Sequence, residues 1–449
     1  MQLSHTPAAL SASFDEPNLL VSAGLVPALR LADTVGLPQL SEEHLTTGAN
    51  PGSKVMCLVA GMAAGADSID DMDMLRRAGA ARVFTGVRAP STLGTFLRGF
   101  TFGHVRQLDA VAARTLTALA STAPLLPGIA QACLIDIDDT VKPVFGPGKQ
   151  GAQFGYTKVR GLNAQLATIS TPDAAPVIAA TRLRRGAAAS AHGAVRMIRD
   201  AIVTARRCGA DGQILVRADS AYCSASILQA VTTAGARFSV GMPLNRRVRA
   251  AIATIDDAQW VRIEYPWAIP DPDTGELICA AEIAELPFTA FTSKPTTKHV
   301  SARLIVRRIP ERNQTKQQDP LFPAFRYHAL FTDNPAPLVA AESTHRGHAI
   351  IEQVIADLKN SALAHLPSGH FPANAAWLVC AAIAFNLTRT LGVIAGGQLT
   401  KATTATIRTR LINLPARITR SARRLRLRLP RDWTCEPHWQ RVWTAVMIT

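Results

Sequence analysis

The order of strand-like and helix-like segments in residues 132–241 constrains the fold more than any other feature. Three apolar runs of strand character come first, and helical and strand patterns then alternate as far as Gly241. Consecutive strands can pair as a meander, whereas strands separated by helices usually pair in parallel. The pattern therefore predicts an α/β fold with a mixed sheet and flanking helices. The predicted segments are Ala132–Asp138, Leu162–Ser170, Val177–Leu183, Ala189–Cys208, Gln213–Arg217, Ser224–Ala234 and Arg237–Gly241.

The segments on either side of this region show different patterns. Residues 1–128 have the apolar spacing of helices, and helical patterns return at Thr344–Ser361 and Ala373–Leu391. Between them lie short strand-like runs separated by prolines, at Trp260–Tyr265, Ile278–Ala284, Val300–Arg307 and Arg326–Phe331. The predicted organisation is a helical region 1–128, an α/β domain in two parts (129–244 and 336–396), a β-rich inserted subdomain 245–335, and a basic region 397–449. The first region is a candidate for binding DNA ends, and the last is a candidate for contacts with DNA or with a second copy of the chain.

Positive charge is concentrated at the C-terminal end of the chain. The 449 residues carry a formal net charge of +15, of which +11 falls in the last 92 residues. No acidic residue occurs between Asp357 and Asp432. A one-sided surplus of this kind suits a polyanionic partner such as the phosphate backbone of DNA. The alternative is a solvated basic surface without a specific partner.

Cysteine usage and apolar runs indicate the compartment. Seven cysteines are scattered along the chain without a Cys-x-x-Cys pair, which argues against a zinc ribbon and a disulfide scaffold. The first twenty residues show no readable secretion signal, and the apolar run Ala375–Phe385 is too short to cross a bilayer. We therefore expect a soluble, cytoplasmic protein.

Acidic residues stand at three places where a mixed sheet could bring them together. Asp136 and Asp138 share one face at the end of the first strand, and Asp219 directly follows a later strand. Glu352 lies on a predicted amphipathic helix, in a polar stripe with His345, His348 and Lys359. Three converging carboxylates can bind two Mg²⁺ ions for phosphodiester chemistry.

Each of these sites also has an ordinary interpretation. The strand-end acids could be solvated, Asp219 could cap a helix, and the polar stripe could simply face water. His345 and His348 have the spacing of a zinc pair, but no third soft ligand stands nearby in the sequence.

Together, these residues resemble the DDE transposases of bacterial insertion sequences, whose catalytic domain is ribonuclease H-like. The resemblance covers about residues 130–395. Asp138 and Thr140 match the family's Asp-x-Thr signature, Asp219 follows the fourth strand in Arg-Ala-Asp-Ser, and Glu352 and Lys359 match its Glu-x6-Lys signature. Two positions depart from the family pattern, because His345 replaces a tyrosine and His348 replaces an arginine. The neighbouring Arg346 could compensate for the lost charge.

The resemblance implies a function and a set of roles. Asp138, Asp219 and Glu352 would be catalytic residues that ligate Mg²⁺, or Mn²⁺ in its place, with Asp136 and Thr140 supporting them. The enzyme would cleave the inverted-repeat ends of its element and join the freed 3′-hydroxyls to target DNA. Its partners would be double-stranded DNA and a second copy in a homodimeric synaptic complex. The expected DNA contacts are Lys359, His345, Arg346, His348, Arg423, Arg424, Arg426 and Arg428.

Two alternatives remain open at this point. The Asp136-x-Asp138-x-Thr140 pattern after an apolar strand also looks like the nucleophile motif of haloacid dehalogenase-type phosphatases, in which Asp136 would be phosphorylated. The phosphatase interpretation requires a later pair of acidic residues, and no convincing pair is present. It also requires a parallel sheet, which three consecutive leading strands do not suit. A non-catalytic DNA-binding protein would explain the charge, but it leaves the three acids without a role.

Overall fold

The structure, a computed structural model, describes residues 1–265, 281–310 and 325–448, and these are organised around one large sheet. The strands are β1 (Leu19–Leu20), β2 (Ala132–Pro143), β3 (Gln153–Phe154), β4 (Arg160–Ser170), β5 (Val177–Arg185), β6 (Gln213–Ala218), β7 (Arg237–Met242), β8 (Val261–Ile263), β9 (Ala281–Ala290), β10 (Val300–Pro310), β11 (Phe325–Thr332), β12 (Ala416–Ser421) and β13 (Arg424–Arg428).

The helices divide into an N-terminal group and those associated with the sheet. They are α1 (Leu25–Thr34), α2 (Leu37–His44), α3 (Pro51–Ala64), α4 (Ala80–Val83), α5 (Pro90–Arg98), α6 (Phe102–Thr122), α7 (Ala194–Arg207), α8 (Ala225–Thr233), α9 (Arg246–Ile252), α10 (Leu338–Arg346), α11 (Ile350–Lys359), α12 (Phe371–Ala395), α13 (Thr404–Ile407) and α14 (Glu436–Met447).

The main sheet has ten strands within the described residues. Its order is β3-β4-β2-β6-β7-β11-β10-β9-β8, with β5 also pairing with β4. β2, β6 and β7 run parallel to one another, and the remaining pairings are antiparallel. The predicted mixed α/β fold is therefore confirmed. Almost every residue of β4 is buried, as expected for a strand covered on both faces of a sheet.

The β-rich segment extends this sheet. β11 pairs with β7 through Ala329–Met242 and Thr332–Ser239, so the strands of residues 245–335 continue the α/β sheet and do not form a separate one. Sequence patterns cannot show this, because pairing between strands that are distant along the chain leaves no local periodicity. The predicted strand Ile278–Ala284 lies partly outside the described residues.

Helix α12 lies in the interior and connects the N-terminal helices with the sheet. It packs against α3, α5, α6 and α14 as well as β5. Asn386 of α12 bonds to both the backbone N–H and the backbone carbonyl of Ile178, at 2.8 Å each. By length and composition α12 could cross a membrane, but 89% of its most apolar window is buried inside the protein. The N-terminal helices and the α/β region consequently share one core.

A second, three-stranded sheet joins the two ends of the chain. Its order is β1-β12-β13, and Leu20 of β1 pairs with Ala416 of β12. Ile418 is buried with Leu20 and Ala80 beneath this sheet. The predicted strand at residues 424–429 is confirmed as β13.

Candidate active site

Asp138 and Asp219 lie side by side on neighbouring segments of the main sheet. The predicted strand end at Asp138 was wrong, because β2 continues to Pro143 through its pairing with β4. β2 and β6 pair in parallel as far as Ile137 and Ala218, and each aspartate is the next residue of its chain segment. The pKa of Asp138 is raised to about 6, chiefly by burial and in addition by the negative charge of Asp219. Burial likewise raises the pKa of Asp219. Burial and their mutual repulsion thus disfavour the charged form of both carboxylates, and a nearby positive charge would stabilise it.

Asp219 also has the ordinary role considered from the sequence. Its carboxylate accepts a hydrogen bond of 3.0 Å from the backbone N–H of Ala221 and caps the short 3₁₀ turn Ser220–Tyr222. The cap fixes the direction of the side chain at the point where β6 ends.

Glu352 lines the same cleft as Asp219. The cleft has a volume of about 570 Å³, and His345, His348 and Arg346 form part of its wall. Glu352 is exposed in the first turn of α11, where a negative charge interacts favourably with the helix dipole. Lys359, in the last turn of α11, has a pKa lowered by burial and by Lys142, while Asp138 acts in the opposite direction. Both ends of α11 thus lie near the two aspartates.

The residues around Glu352 do not form the single continuous helix predicted from the sequence. α10 ends at Arg346, a 3₁₀ turn covers Gly347–Ala349, and α11 begins at Ile350. His345 is therefore in α10, His348 is in the turn, and only Glu352 and Lys359 share a helix. The predicted polar stripe was wrong in this respect, because a 3₁₀ turn changes the angular offset between residues before and after it.

The three acids do not meet as a complete set of metal ligands. Among residues 1–265, 281–310 and 325–448, no group of three His, Cys, Asp or Glu side chains could hold a metal ion. The donor chemistry nevertheless fits a hard divalent cation, because two neighbouring carboxylates offer oxygen ligands and share an unfavourable negative charge. The assignment of Asp138, Asp219 and Glu352 as ligands stays a prediction.

Asp136 lies beneath the cleft in a buried ionic network. Its side chain is fully buried, and both its oxygens accept hydrogen bonds of 2.7 Å from the Arg217 guanidinium. His348 lies against the same carboxylate, with Nδ1 2.9 Å from Oδ1. Asp136 is therefore not available to substrate, and its supporting role in the site stays a prediction. Thr140 continues β2 beyond Asp138, opposite Ala164 of β4.

His345 makes a hydrogen bond within the protein. Its Nδ1 lies 3.0 Å from the Ser239 hydroxyl of β7. The pKa of His345 is lowered to about 4, chiefly by burial and in addition by the neighbouring His348 and Arg217. The imidazole is consequently neutral at neutral pH and carries no charge for a phosphate contact.

Arg346 and Arg307 form a cationic wall around one buried acid. Glu342 pairs with Arg307 at 3.0 Å and with Arg346 at 3.7 Å, and Arg346 also stacks over Tyr265. Buried guanidinium nitrogens of both arginines have no hydrogen-bond partner within the described structure. Sequence reasoning missed Arg307, since it is one of several arginines in the β-rich segment and has no motif.

The C-terminal arginines form one face of the small sheet. Arg417 stands opposite Arg428, Thr419 opposite Arg426, and Ser421 opposite Arg424. Arg424, Arg426 and Arg428 are exposed, as is Arg423 in the intervening turn. Like charges directly opposite each other are unfavourable across a strand pair, so an anionic partner would stabilise this face.

Comparison with known families decides between the interpretations of this cleft. The model of the family described as "Transposase DDE domain group 1" matches residues 21–447, nearly the whole chain. The chain belongs to the DDE transposase family. A comparison with curated protein sequences gives no match. Membership makes the protein a transposase of mobile DNA, from a family that binds DNA and generally uses divalent metal ions.

Proposed function

We propose that this transposase cleaves DNA at the ends of its own insertion sequence and joins the freed 3′-hydroxyls to target DNA. The observation that carries the proposal is the adjacency of Asp138 and Asp219, which directly follow the last paired residues of the parallel strands β2 and β6, beside a cleft that Glu352 also lines. These are the three residues that match the DDE signatures. Neutral or apolar side chains at these positions would leave the cleft without ligands for a cation.

The strand arrangement supports a ribonuclease H-like catalytic core. The order β5-β4-β2-β6-β7 contains an antiparallel meander followed by strands parallel to β2. In sheets of this kind, functional side chains gather beyond the carboxyl ends of the parallel strands. Asp219 directly follows β6 in this position, and Asp138 lies beside it within β2, just after the last residue of β2 that pairs with β6.

Asp138, Asp219 and Glu352 would hold Mg²⁺, with Mn²⁺ as an alternative ion. The bound ions would supply an activated oxygen nucleophile and neutralise charge that develops on the phosphate. The protein's own contribution is to orient the carboxylates, to hold a phosphate near Lys359, and to keep the surrounding groups fixed. Arg346 and Arg307 add positive charge to the lining of the same cleft.

The DNA duplex would extend from this cleft to the arginine face of β13. Arg424, Arg426 and Arg428 project from one face of the strand and are suited to successive phosphate contacts. Cutting two element ends together requires two active sites, so we propose a homodimer in the synaptic complex. The proposed location is the bacterial cytoplasm, at the nucleoid.

The phosphatase alternative has no support in this geometry. Asp136, its required nucleophile, is fully buried and bound by Arg217 and His348, so it cannot reach a substrate phosphorus atom. A purely structural role in DNA binding leaves the paired aspartates unexplained, because two adjacent carboxylates are costly without a compensating function.

An end-cleavage assay tests the proposal. The purified protein is incubated with Mg²⁺ and a DNA fragment carrying the inverted repeats that flank its gene, and strand breaks are mapped at single-nucleotide resolution. We expect breaks at the repeat ends that require the divalent ion. A fragment with scrambled repeats is the control. Absence of ion-dependent cleavage at the repeats would overturn the proposal.

A further inference from the structure

We propose that Arg217, Asp136 and His348 form a buried clamp that fixes the turn before α11, and thereby places Glu352 relative to Asp138 and Asp219. The clamp residues are positioning residues, since Arg217 and Asp136 are buried and His348, which also lines the cleft, contacts Asp136 through Nδ1. The inference rests on the proposed function for its consequence in catalysis, while its structural part can be tested separately.

The first part of the clamp joins the two strands that carry the aspartates. Arg217 of β6 stands directly opposite Asp136 of β2 in the parallel register. Nε and Nη2 of the guanidinium each donate a 2.7 Å hydrogen bond to one carboxylate oxygen. Both side chains are almost completely buried. A planar, two-point contact of this kind fixes orientation as well as distance.

The second part joins the strands to the helical segment. The third nitrogen of the same guanidinium, Nη1, donates to the backbone carbonyl of Thr344 in α10. Gly347 packs against Arg217, and a Cβ added at Gly347 would lie 3.0 Å from Nη1. The absence of a side chain at this position lets the turn approach the guanidinium closely.

The third part comes from His348 in the turn itself. Its Nδ1 contacts the Asp136 oxygen that also accepts from Arg217 Nε. Each clamp residue also precedes one of the three acids by a few positions in the sequence. Asp136 precedes Asp138 by two residues, Arg217 precedes Asp219 by two, and His348 precedes Glu352 by four.

Stability alone does not account for the clamp. A buried ion pair loses hydration that its internal attraction only partly recovers, and apolar replacements of such pairs are often equally stable. What an apolar pair cannot reproduce is the directional link from Asp136 through Arg217 to the Thr344 carbonyl. The contribution of this link is therefore to fix the relative positions of three segments that are far apart in the sequence.

Hydrogen exchange and DNA cleavage together test the clamp with two variants. Arg217→Lys keeps the positive charge but loses the planar guanidinium that donates two hydrogen bonds to Asp136. Gly347→Ala leaves every clamp residue in place but crowds Nη1 of Arg217. Arg106→Lys is the matched control, because Arg106 of α6 pairs with Asp109 of the same helix at 2.7 Å and with Asp200 of α7 at 2.8 Å, away from the cleft. Backbone exchange is followed over residues 344–352 in the full-length protein without DNA.

In both variants we expect exchange in residues 344–352 to accelerate by about tenfold, with the rest of the chain unchanged. The rate constant of cleavage at saturating DNA should fall by about tenfold or more, while the affinity for the ends changes by less than about twofold. The control Arg106→Lys should change neither the exchange of residues 344–352 nor the rate constant of cleavage.

Unchanged exchange in residues 344–352 of Gly347→Ala would overturn the clamp, as would cleavage at the rate of the unmodified protein when exchange has accelerated. If Arg217→Lys fails to fold, Gly347→Ala carries the test by itself. If the unmodified protein does not cleave its ends at all, the proposed function fails, and the exchange measurement still decides whether the clamp fixes the turn.

Discussion

Asp138 and Asp219 lie at the same level on two neighbouring segments, because the residues before them, Ile137 of β2 and Ala218 of β6, pair in parallel. Their adjacency therefore follows from the register of the sheet. A shift of one residue would turn one carboxylate to the opposite face. The buried pairing of Asp136 with Arg217, one step earlier in the same register, opposes such a shift.

The buried His345 gives the stability a specific pH dependence. Its pKa is lowered to about 4 in the folded protein, against 6.5 for an ordinary histidine. Between these two pKa values the folded state binds fewer protons than the unfolded state. The stability associated with the neutral His345 is therefore present above pH 6.5 and is lost as the pH falls towards 4. Between pH 7.5 and 4.5, we expect the unmodified protein to lose roughly 2 kcal/mol more stability than His345→Asn.

Urea unfolding at several pH values checks this expectation. Asparagine retains a group that can bond to Ser239 but does not titrate. If the free energy of unfolding changed equally with pH in the unmodified protein and in His345→Asn, then His345 would not be held neutral by its surroundings.

The arginine face of β13 predicts a salt-dependent contribution to DNA binding. Replacing Arg424, Arg426 and Arg428 with alanine should weaken binding and reduce the slope of log K against log salt by about 0.9 for each lost phosphate contact. Fluorescence anisotropy with labelled element ends at several salt concentrations measures this slope.

The control for this experiment removes the same number of charges elsewhere. Arg30, Arg76 and Arg77 are paired with acids of the N-terminal region, at Asp33 and Asp73. Their replacement by alanine should leave the slope unchanged. An equal reduction in both triple variants would mean that net charge, and not the β13 face, determines the affinity.

Lys359 is expected to contribute less than the acids. It lies at the end of α11 near Asp138 and would contact a phosphate without generating the nucleophile. Lys359→Ala should lower the cleavage rate by roughly tenfold to a hundredfold, whereas the exposed Lys298→Ala should leave it unchanged. Single-turnover cleavage with saturating DNA separates this effect from weakened binding. A complete loss of cleavage would assign Lys359 a larger part in the chemistry.

Much of the α/β region could be predicted because its signals are local. The strands and helices from Ala132 to Gly241 show clear periodicities, and each appears in the structure with ends shifted by a few residues. The acids at Asp138, Asp219 and Glu352 stand next to such elements, so their approximate placement followed from the pattern. Their proximity to one another was an inference from fold type.

Long-range relationships were not accessible in the same way. Arg217 was visible as a charge inside an apolar strand, but nothing local identifies Asp136, 81 residues earlier, as its partner. The pairing of β7 with β11 and of β1 with β12 also joins distant segments. The 3₁₀ turn at Gly347 also escaped prediction, and its contact with the Arg217 guanidinium joins residues that are far apart in the sequence.

The role of Glu352 is the central claim, and a cleavage assay on Glu352→Gln tests it most directly. Glutamine preserves size and helix propensity but removes the charge needed to hold a cation. The variant should fold, bind element ends with unchanged affinity, and cleave at least roughly 10²–10³-fold more slowly in Mg²⁺. Glu43→Gln, at an exposed position of α2, should behave like the unmodified protein. Cleavage by Glu352→Gln at the unmodified rate would contradict the account and leave Glu352 as a solvated side chain.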